Sequence, residues 1–195
     1  MQAKRSLGGH TLLYPTPVLV VGSYDESDKP DVMTVAWGGL CSSKPPSIAV
    51  SVRPSRLTHA NILHHRAFTV SIPGEEHVQA ADFFGITSGR DLDKFELAGL
   101  TAVAAEHVHA PYVGEFPVVL ECRLLHAFDL GAHTQFVGEI VDVKVDERAL
   151  TSQGRLDLSA VGAISFMPGL EAYHALGAKL ADAFAVGRAL RPSHE

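Results

Sequence analysis

The sequence predicts one mainly β domain with α decorations, built as an antiparallel barrel. About six segments alternate apolar and polar residues, two of them form a long hairpin, and the helix signals between them are short. Such an order favours a barrel over a βαβ nucleotide fold. No repeat or Ser/Gly-rich linker divides the 195 residues. We therefore expect one domain over residues 1–195, with a barrel core over about 12–150 and a C-terminal extension over 151–195.

The first strands are predicted in the N-terminal third of the chain. Residues 18–24 form a β-branched run, the polar residues 25–30 supply a turn, and residues 32–40 resume extended character. Together they indicate a hairpin. Two further alternating segments, 47–53 and 68–72, are typical of half-buried strands.

A longer hairpin is predicted in the second half. Apolar residues at alternate positions over 118–128 share one face, while Glu121 and Arg123 point to the other. Residues 129–132 supply the turn, and valines from 137 to 145 continue the alternation. This hairpin is the clearest structural prediction.

Three helices are expected around the strands. Ser55 is a good N-cap for a helix over 56–65, and a second helix begins at Glu75 and ends at Gly85. A third is predicted by apolar residues at helical spacing near the C-terminus, at Leu176, Leu180, Ala183, Gly187 and Leu190.

The charge distribution excludes one class of function and suggests another. The net charge of −6 argues against a nucleic-acid-binding protein, which would carry a basic surplus. Residues 32–74 contain no Asp or Glu but hold Lys44, Arg53, Arg56 and Arg66, so this window carries +4 and the rest −10. We interpret this cationic window as a site for one local anionic ligand. The alternative is that buried strands simply exclude carboxylates.

Cysteine usage and hydropathy suggest a cytoplasmic protein. Cys41 and Cys122 form no CxxC motif, which is typical of reduced intracellular thiols. No apolar segment follows the N-terminal basic residues as in a signal peptide, and the uncharged stretch 158–170 is too short to span a bilayer. We expect neither a membrane nor a nucleic-acid partner.

Two segments could bind the anion. At the strand-to-helix junction 51–58, Arg53, Arg56 and the hydroxyl of Thr58 surround a first helical turn, whose backbone N–H groups lack partners. The alternative is an ordinary capped helix with solvated arginines. The glycine-containing loop 85–90 offers further donors, although it could be a plain helix connector.

The segment 33–39 could hold a flat ligand. It contains the only tryptophan, Trp37, next to two glycines that let a ligand approach the backbone, although most tryptophans in such runs are core residues.

Among the histidines, His133 directly after the long hairpin's turn is the best functional candidate. His107 and His109 would share one strand face, but without a third ligand we predict no metal site.

These segments, in order along the chain, resemble the flavin reductase-like FMN-binding proteins, and within them the flavoredoxins. The resemblance covers about residues 10–170. It rests on residues 34–37, 45–52, 56–58, 88–95, 120–122 and 131–139.

The resemblance implies an FMN-binding split β-barrel, an antiparallel Greek-key barrel, that forms a homodimer with FMN near the subunit interface. It implies that the flavin ring is contacted by Thr34, Val35, Ala36 and Trp37. It implies that the phosphate and ribityl chain are bound by Ser51, Arg53, Thr58, Ser88, Arg90 and Lys94. It also implies that His133 lies on the open side of the ring as the catalytic residue, with Phe166 as a further flavin contact.

Two positions depart from the pattern. Asp31, which we count among the cofactor-binding residues, stands where flavoredoxins have Asn, so it adds a charge near the cofactor. Ala132 stands where many NADH-dependent flavin reductases have Asp, which bears on direct nicotinamide use and leaves flavin binding intact.

The leading hypothesis is an FMN-dependent oxidoreductase that passes electrons from NADH, NADPH or a redox partner protein to an acceptor. One alternative is an FMN-binding electron carrier that does not oxidise a nicotinamide. Another is a flavin- or haem-binding sensor without turnover.

Overall fold

The fold is mainly β, as the sequence predicts, in a computed structural model that describes residues 3–191. Its strands are β1 (Thr16–Pro17), β2 (Leu19–Tyr24), β3 (Pro30–Val35), β4 (Gly38–Ser43), β5 (Pro46–Val52), β6 (Ala67–Ile72), β7 (Ala102–Ala104), β8 (Pro111–Val113), β9 (Val118–Asp129), β10 (Thr134–Val145), β11 (Ile164–Met167) and β12 (Ala172–Ala175). Its α-helices are α1 (Leu57–His65), α2 (Val78–Ile86), α3 (Lys94–Ala98) and α4 (Leu158–Val161).

Seven strands form one antiparallel sheet in the order β3-β2-β6-β9-β10-β5-β4. The two edge strands, β3 and β4, are consecutive in the chain and joined only by Ala36 and Trp37. The N–H of Ser51 in β5 donates to the carbonyl of Trp37 at 2.9 Å, which continues the β4–β5 ladder into this corner beside the end of β3. The sheet therefore curls until its two edges meet, which confirms the antiparallel barrel.

Apolar side chains fill the barrel and a second layer outside it. Phe68 and Phe136 are fully buried inside the barrel among apolar side chains of β2, β3, β5, β6, β9 and β10. A Cβ at Gly138 would lie 2.5 Å from the Phe68 ring, so β10 needs a glycine there. On the outer face, Phe84 of α2 and Phe95 of α3 pack against valines of β2 and β3. This packing fixes both helices beside β3.

The β9–β10 hairpin is confirmed, with one surprise on its outer face. Glu121 points away from the apolar face as expected, yet it is fully buried. Its two carboxylate oxygens accept the N–H groups of Glu106 and His107, at 3.1 and 2.6 Å. The irregular loop that covers this face carries no periodic signal, which explains why the sequence did not reveal the burial.

The first two helices differ at their ends from the prediction. The N-cap of α1 is Arg56 rather than Ser55, and no side chain caps the helix. A 3₁₀ turn over Glu75–His77 precedes α2, and Gly85 lies inside α2 instead of ending it. Within residues 3–191, every helix falls short of the length and apolar character needed to cross a membrane.

The prediction of a C-terminal helix is wrong. After β12 the described chain has no helix or strand other than a turn and one 3₁₀ helix over Val186–Leu190. Leu180 and Phe184 are 99% and 93% exposed. A helix this short is stabilised mainly by packing of its apolar face. Nothing in the described chain packs against this stripe, so its helical spacing alone does not form a helix.

Candidate functional site

A cavity of about 470 Å³ opens at the corner between β3 and β4. This volume lies in the usual range for small-molecule sites. It is lined by Met33, Thr34, Val35, Ala36, Trp37, Ser51, Arg53, Arg56, His133 and Phe166. Most of these residues are the ones singled out from the sequence, although they come from four separate segments. The structure adds Met33 to the cofactor-binding candidates, and it adds Arg56, which the sequence offered only as part of the junction.

The β3–β4 corner supplies one wall of the cavity. The hydroxyl of Thr34 donates to the carbonyl of Ala81 in α2, which fixes that side chain and the backbone around it. Trp37 is 42% exposed, and its ring centroid lies 4.8 Å from that of His133. Trp37 is therefore a wall of the cavity and not a core residue.

His133 meets Arg53 across a strand pair. The register places Thr134 of β10 opposite Val52 of β5, so the residues beside them, His133 and Arg53, become neighbours. The Nε of Arg53 donates to Nε2 of His133 at 3.4 Å. Since Nε2 accepts this bond, the neutral imidazole carries its proton on Nδ1. His133 can thus offer an N–H donor from Nδ1.

The first turn of α1 forms the cationic end of the site. It has no side-chain cap and no acidic residue. Its free N–H groups and the helix dipole therefore favour an anion. Arg53 is exposed beside this turn, and Arg56 Nη2 donates to the carbonyl of Gly85 at 3.0 Å. The two arginines and the helix end together resemble a phosphate site more closely than an ordinary capped helix.

Asp31, Thr58 and Lys94 form a buried group beside the cavity. Thr58 donates to Asp31 Oδ2 at 2.9 Å, and Lys94 Nζ lies 3.3 Å from Asp31 Oδ1. Each residue is at most 4% exposed. The Lys94 ammonium also donates to the carbonyl of Val32. Burial lowers the pKa of Lys94, and the Asp31 carboxylate opposes that shift. Thr58 and Lys94 therefore lie outside the cavity lining, whereas the resemblance implies that both contact the cofactor directly.

The loop after α2 covers Asp31. A Cβ at Gly89 would lie 2.0 Å from Asp31 Oδ1, so only glycine lets the loop approach so closely. Oδ1 has no hydrogen-bond partner of good geometry, although the Lys94 ammonium is near. Ser88 accepts the N–H of Arg90 at 3.2 Å, and Arg90 is exposed. Ser88 and Arg90 thus belong to the cover over Asp31 and do not line the cavity.

Phe166 reaches the cavity from a small second sheet. Its strand β11 pairs with β1, which sets Phe166 opposite Thr16. The Phe166 ring lies 5.6 Å from the ring of Tyr173, whose hydroxyl donates to Asp82 at 2.9 Å. Burial raises the pKa of Tyr173 to about 12, so this hydroxyl keeps its proton at neutral pH. The segment after the barrel is therefore anchored to α2 where it meets the site.

The cavity suits a planar ligand with an anionic group. Backbone, the Trp37 ring and Phe166 provide flat and apolar surface, while Arg53, Arg56 and the α1 N-terminus provide positive charge at one end. No carboxylate lines it among the described residues.

Comparison with known families identifies one match over most of the chain. The family model described as "Flavin reductase like domain" matches residues 11–158, a span that includes every cavity residue except Phe166.

Solved structures and curated proteins agree with that match. The flavoredoxin of Desulfovibrio vulgaris (Miyazaki F) is 50% identical, with 95% of this chain and 100% of that chain covered and a TM-score of 0.90. The FMN-binding protein from Thermus thermophilus is 26% identical over 93% of this chain and 100% of that one, with a TM-score of 0.77. A ferric-chelate reductase (NAD(P)H) of Archaeoglobus fulgidus is 36% identical over 117 residues, which is 56% of this chain and 66% of the relative.

Proposed function

The chain belongs to the flavin reductase-like family, and we propose that it is an FMN-dependent oxidoreductase that transfers electrons from NADH, NADPH or a redox partner protein to an acceptor. The observation that carries the proposal is the cavity at the β3–β4 corner, which joins a flat wall to a cationic helix end. The names of its relatives include a flavoredoxin and a ferric-chelate reductase, both consistent with electron transfer.

In this proposal the β3–β4 corner holds the flavin ring. Thr34, Val35 and Ala36 offer backbone to the ring edge, and Trp37 closes one side. Bound FMN would supply a carrier for a hydride or single electrons, and the protein would supply binding, orientation and exclusion of water.

The cationic end of the cavity binds the phosphate. FMN brings about two negative charges, which Arg53, Arg56 and the first turn of α1 can neutralise. Asp31 does not cancel this attraction, because its carboxylate is already paired with Lys94 at 3.3 Å. The charge that distinguishes this chain from an Asn-bearing flavoredoxin is thus compensated inside the protein.

His133 is the residue we propose to act on the ring or on the electron donor. Its bond from Arg53 leaves the proton on Nδ1, and its ring lies next to Trp37 at the open side of the cavity. It can hold a proton for the reduced ring or orient an incoming donor, and Arg53 sets its orientation.

We also propose that the functional unit is a homodimer. Phe184 and Leu180 of the C-terminal extension are almost fully exposed, and Trp37 is partly exposed at the mouth of the cavity. A second copy that covers these residues would bury apolar surface and close the site. Light scattering should then give twice the mass of one chain. A monomer that still binds FMN would contradict an interface site.

FMN binding provides the test of the proposed site. We expect the purified protein to bind FMN with flavin absorbance, and Arg53→Ala to weaken binding by about 1–3 kcal/mol through loss of a charge-assisted contact. Lys44→Ala, an exposed lysine away from the cavity lining, is the matched control and should bind like the wild type. A protein that gains no flavin signal in excess FMN would remove the proposal.

Anaerobic mixing with NADH or NADPH distinguishes a reductase from a carrier. We expect the absorbance of the bound flavin to bleach rapidly with one of the two nicotinamides. Ala132 favours the alternative of an electron carrier, because it lacks the carboxylate found at this position in many NADH-dependent flavin reductases. Bleaching by a chemical reductant alone would support the carrier and contradict direct nicotinamide oxidation.

A further inference from the structure

Three metal-ligating side chains meet on the surface at the far end of β3 from the cavity. Asp28 lies in the turn before β3, His65 ends α1, and His109 lies in the loop before β8. One ligand atom of each lies within 4.8 Å of the other two. His109 Nε2 is 2.8 Å from Asp28 Oδ1. Sequence spacing paired His109 with His107, but His107 turns towards Asp142, 3.8 Å away.

The turn that carries Asp28 is held by its own hydrogen bonds. Asp25 Oδ1 accepts the N–H groups of Ser27 and Lys29, at 2.8 and 2.9 Å. Asp28 has a φ of 61° and donates its N–H to the carbonyl of Asp25 at 3.0 Å. A non-glycine residue in the left-handed region costs free energy, so the turn is defined by its surroundings. The carboxylate of Asp28 therefore projects from a fixed backbone.

The two histidines are also oriented by neighbours. His65 Nε2 lies 2.9 Å from the carbonyl of Asp25. An imidazole that donates from Nε2 to a carbonyl keeps its lone pair on Nδ1, which is how proteins commonly orient a histidine that binds a metal. The His109 ring packs against the rings of Tyr24 and His65, at 4.9 and 4.8 Å.

We propose that Asp28, His65 and His109 bind one Zn²⁺ ion or a similar divalent transition metal, with water at the remaining position. Two imidazoles and a carboxylate suit first-row metals, whereas Mg²⁺ and Ca²⁺ prefer oxygen ligands alone. In a tetrahedral Zn²⁺ site the ligand atoms lie about 3.3 Å apart. Here the His109 and Asp28 ligand atoms are 2.8 Å apart, and all three ligand atoms lie within 4.8 Å of one another, which is close enough for one ion.

Two of the three ligand side chains are exposed to solvent. The side chains of His109 and Asp28 are 56% and 68% exposed, so packing leaves them free to rotate towards an ion. The ligands come from three segments that are distant in the sequence. A bound ion would therefore cross-link the β2–β3 turn, the end of α1 and the loop before β8, and stabilise the native state.

Calorimetric titration of tag-free, chelator-treated protein with Zn²⁺ tests the site. We expect saturable binding of one ion per chain. Asp28→Asn, His65→Gln and His109→Gln should each weaken it by at least about 10-fold. His107→Gln, in the same loop but outside the cluster, is the matched control and should bind Zn²⁺ like the wild type. Mg²⁺ should give no binding in the same titration.

Thermal unfolding and flavin absorbance complete the test. At a Zn²⁺ concentration about 100 times Kd, Tm should rise by about 5 °C or more in the wild type and stay constant in His109→Gln. All four variants should keep their FMN absorbance, so the result is independent of the proposed cofactor site. The proposal is overturned if the wild type binds no Zn²⁺, if the three ligand variants still bind it fully, or if His107→Gln loses it equally.

Discussion

Two buried carboxylates, Asp31 and Glu121, differ in how the protein compensates their charge. Each has a lysine ammonium 3.3 Å away, Lys94 for Asp31 and Lys144 for Glu121. Glu121 accepts two backbone N–H groups, and Lys144 reaches it from the surface. Asp31 has one hydroxyl donor, from Thr58, and a lysine that is buried with it.

We interpret this difference as one between a structural carboxylate and a carboxylate beside the proposed binding site. Both carboxylate oxygens of Glu121 accept hydrogen bonds from a loop, and these bonds hold the loop against the barrel. The role of Glu121 is therefore structural. Asp31 Oδ1 has no well-directed hydrogen bond, and the pKa of Lys94 is lowered by burial. A buried ion pair with a lowered lysine pKa beside a cavity is typical of functional sites. The pKa of Lys144 is raised instead, by its bonds to three surrounding carboxylates.

The largest expected effect is at Glu121. Glu121→Ala leaves two backbone N–H groups without acceptors and opens a cavity, so we expect the free energy of unfolding to fall by about 3–5 kcal/mol. Urea denaturation measures this, and Glu121→Gln should lose less because its amide oxygen still accepts one bond. FMN affinity of the folded fraction should not change. A loss below about 1 kcal/mol would show that the loop is not held by this side chain.

The next effect is at Asp31, where stability and binding should move in opposite directions. Asp31→Asn leaves the Lys94 ammonium buried without its counter-charge but with its bond to the Val32 carbonyl, and we expect a loss of about 2–3 kcal/mol in the free energy of unfolding. The uncompensated charge should also strengthen FMN binding several-fold, since it lies near the proposed phosphate site. Weaker FMN binding in a folded Asp31→Asn protein would contradict this account of the Asp31–Lys94 pair.

A smaller effect is expected at Thr58. Thr58→Val removes the hydrogen bond to Asp31 Oδ2 and keeps the side-chain shape, so we expect a loss of about 1 kcal/mol in stability. Thr58→Ser is the matched control because it keeps the hydroxyl. If the valine variant lost far more FMN affinity than stability, Thr58 would contact the ligand directly, as the resemblance implies.

The smallest effect is the pH dependence that Lys94 contributes. In the folded protein the pKa of Lys94 lies below its ordinary value of 10.5. Between the two values the unfolded chain holds a proton on this lysine that the folded chain has lost. The contribution of Lys94 to the free energy of unfolding therefore increases as the pH rises from the folded pKa to 10.5. The same contribution is lost as the pH falls back through the folded pKa. Lys94→Met should flatten this slope in urea denaturation, and Lys44→Met should keep it. Equal slopes in both variants would contradict a lowered pKa.

The parts of the site that lie on regular strands could be predicted from the sequence. Thr34 to Trp37 and Ser51 to Arg53 lie on or next to strands with clear alternation, and the acid-free window marked their neighbourhood as cationic. The burial of Lys94 could not be predicted, because it depends on how α3 packs against β3. The meeting of Asp28 with His65 and His109 likewise depends on irregular segments, which carry no periodic signal.

The position of Trp37 gives this protein an internal optical probe. It is the only tryptophan in the sequence, and it lies in the cavity wall beside His133, with none in the barrel core. Ultraviolet emission excited at wavelengths that tyrosine does not absorb therefore originates from the cavity alone. Quenching, spectral shift and lifetime report on events at this one place, without a label and without a background from the rest of the fold.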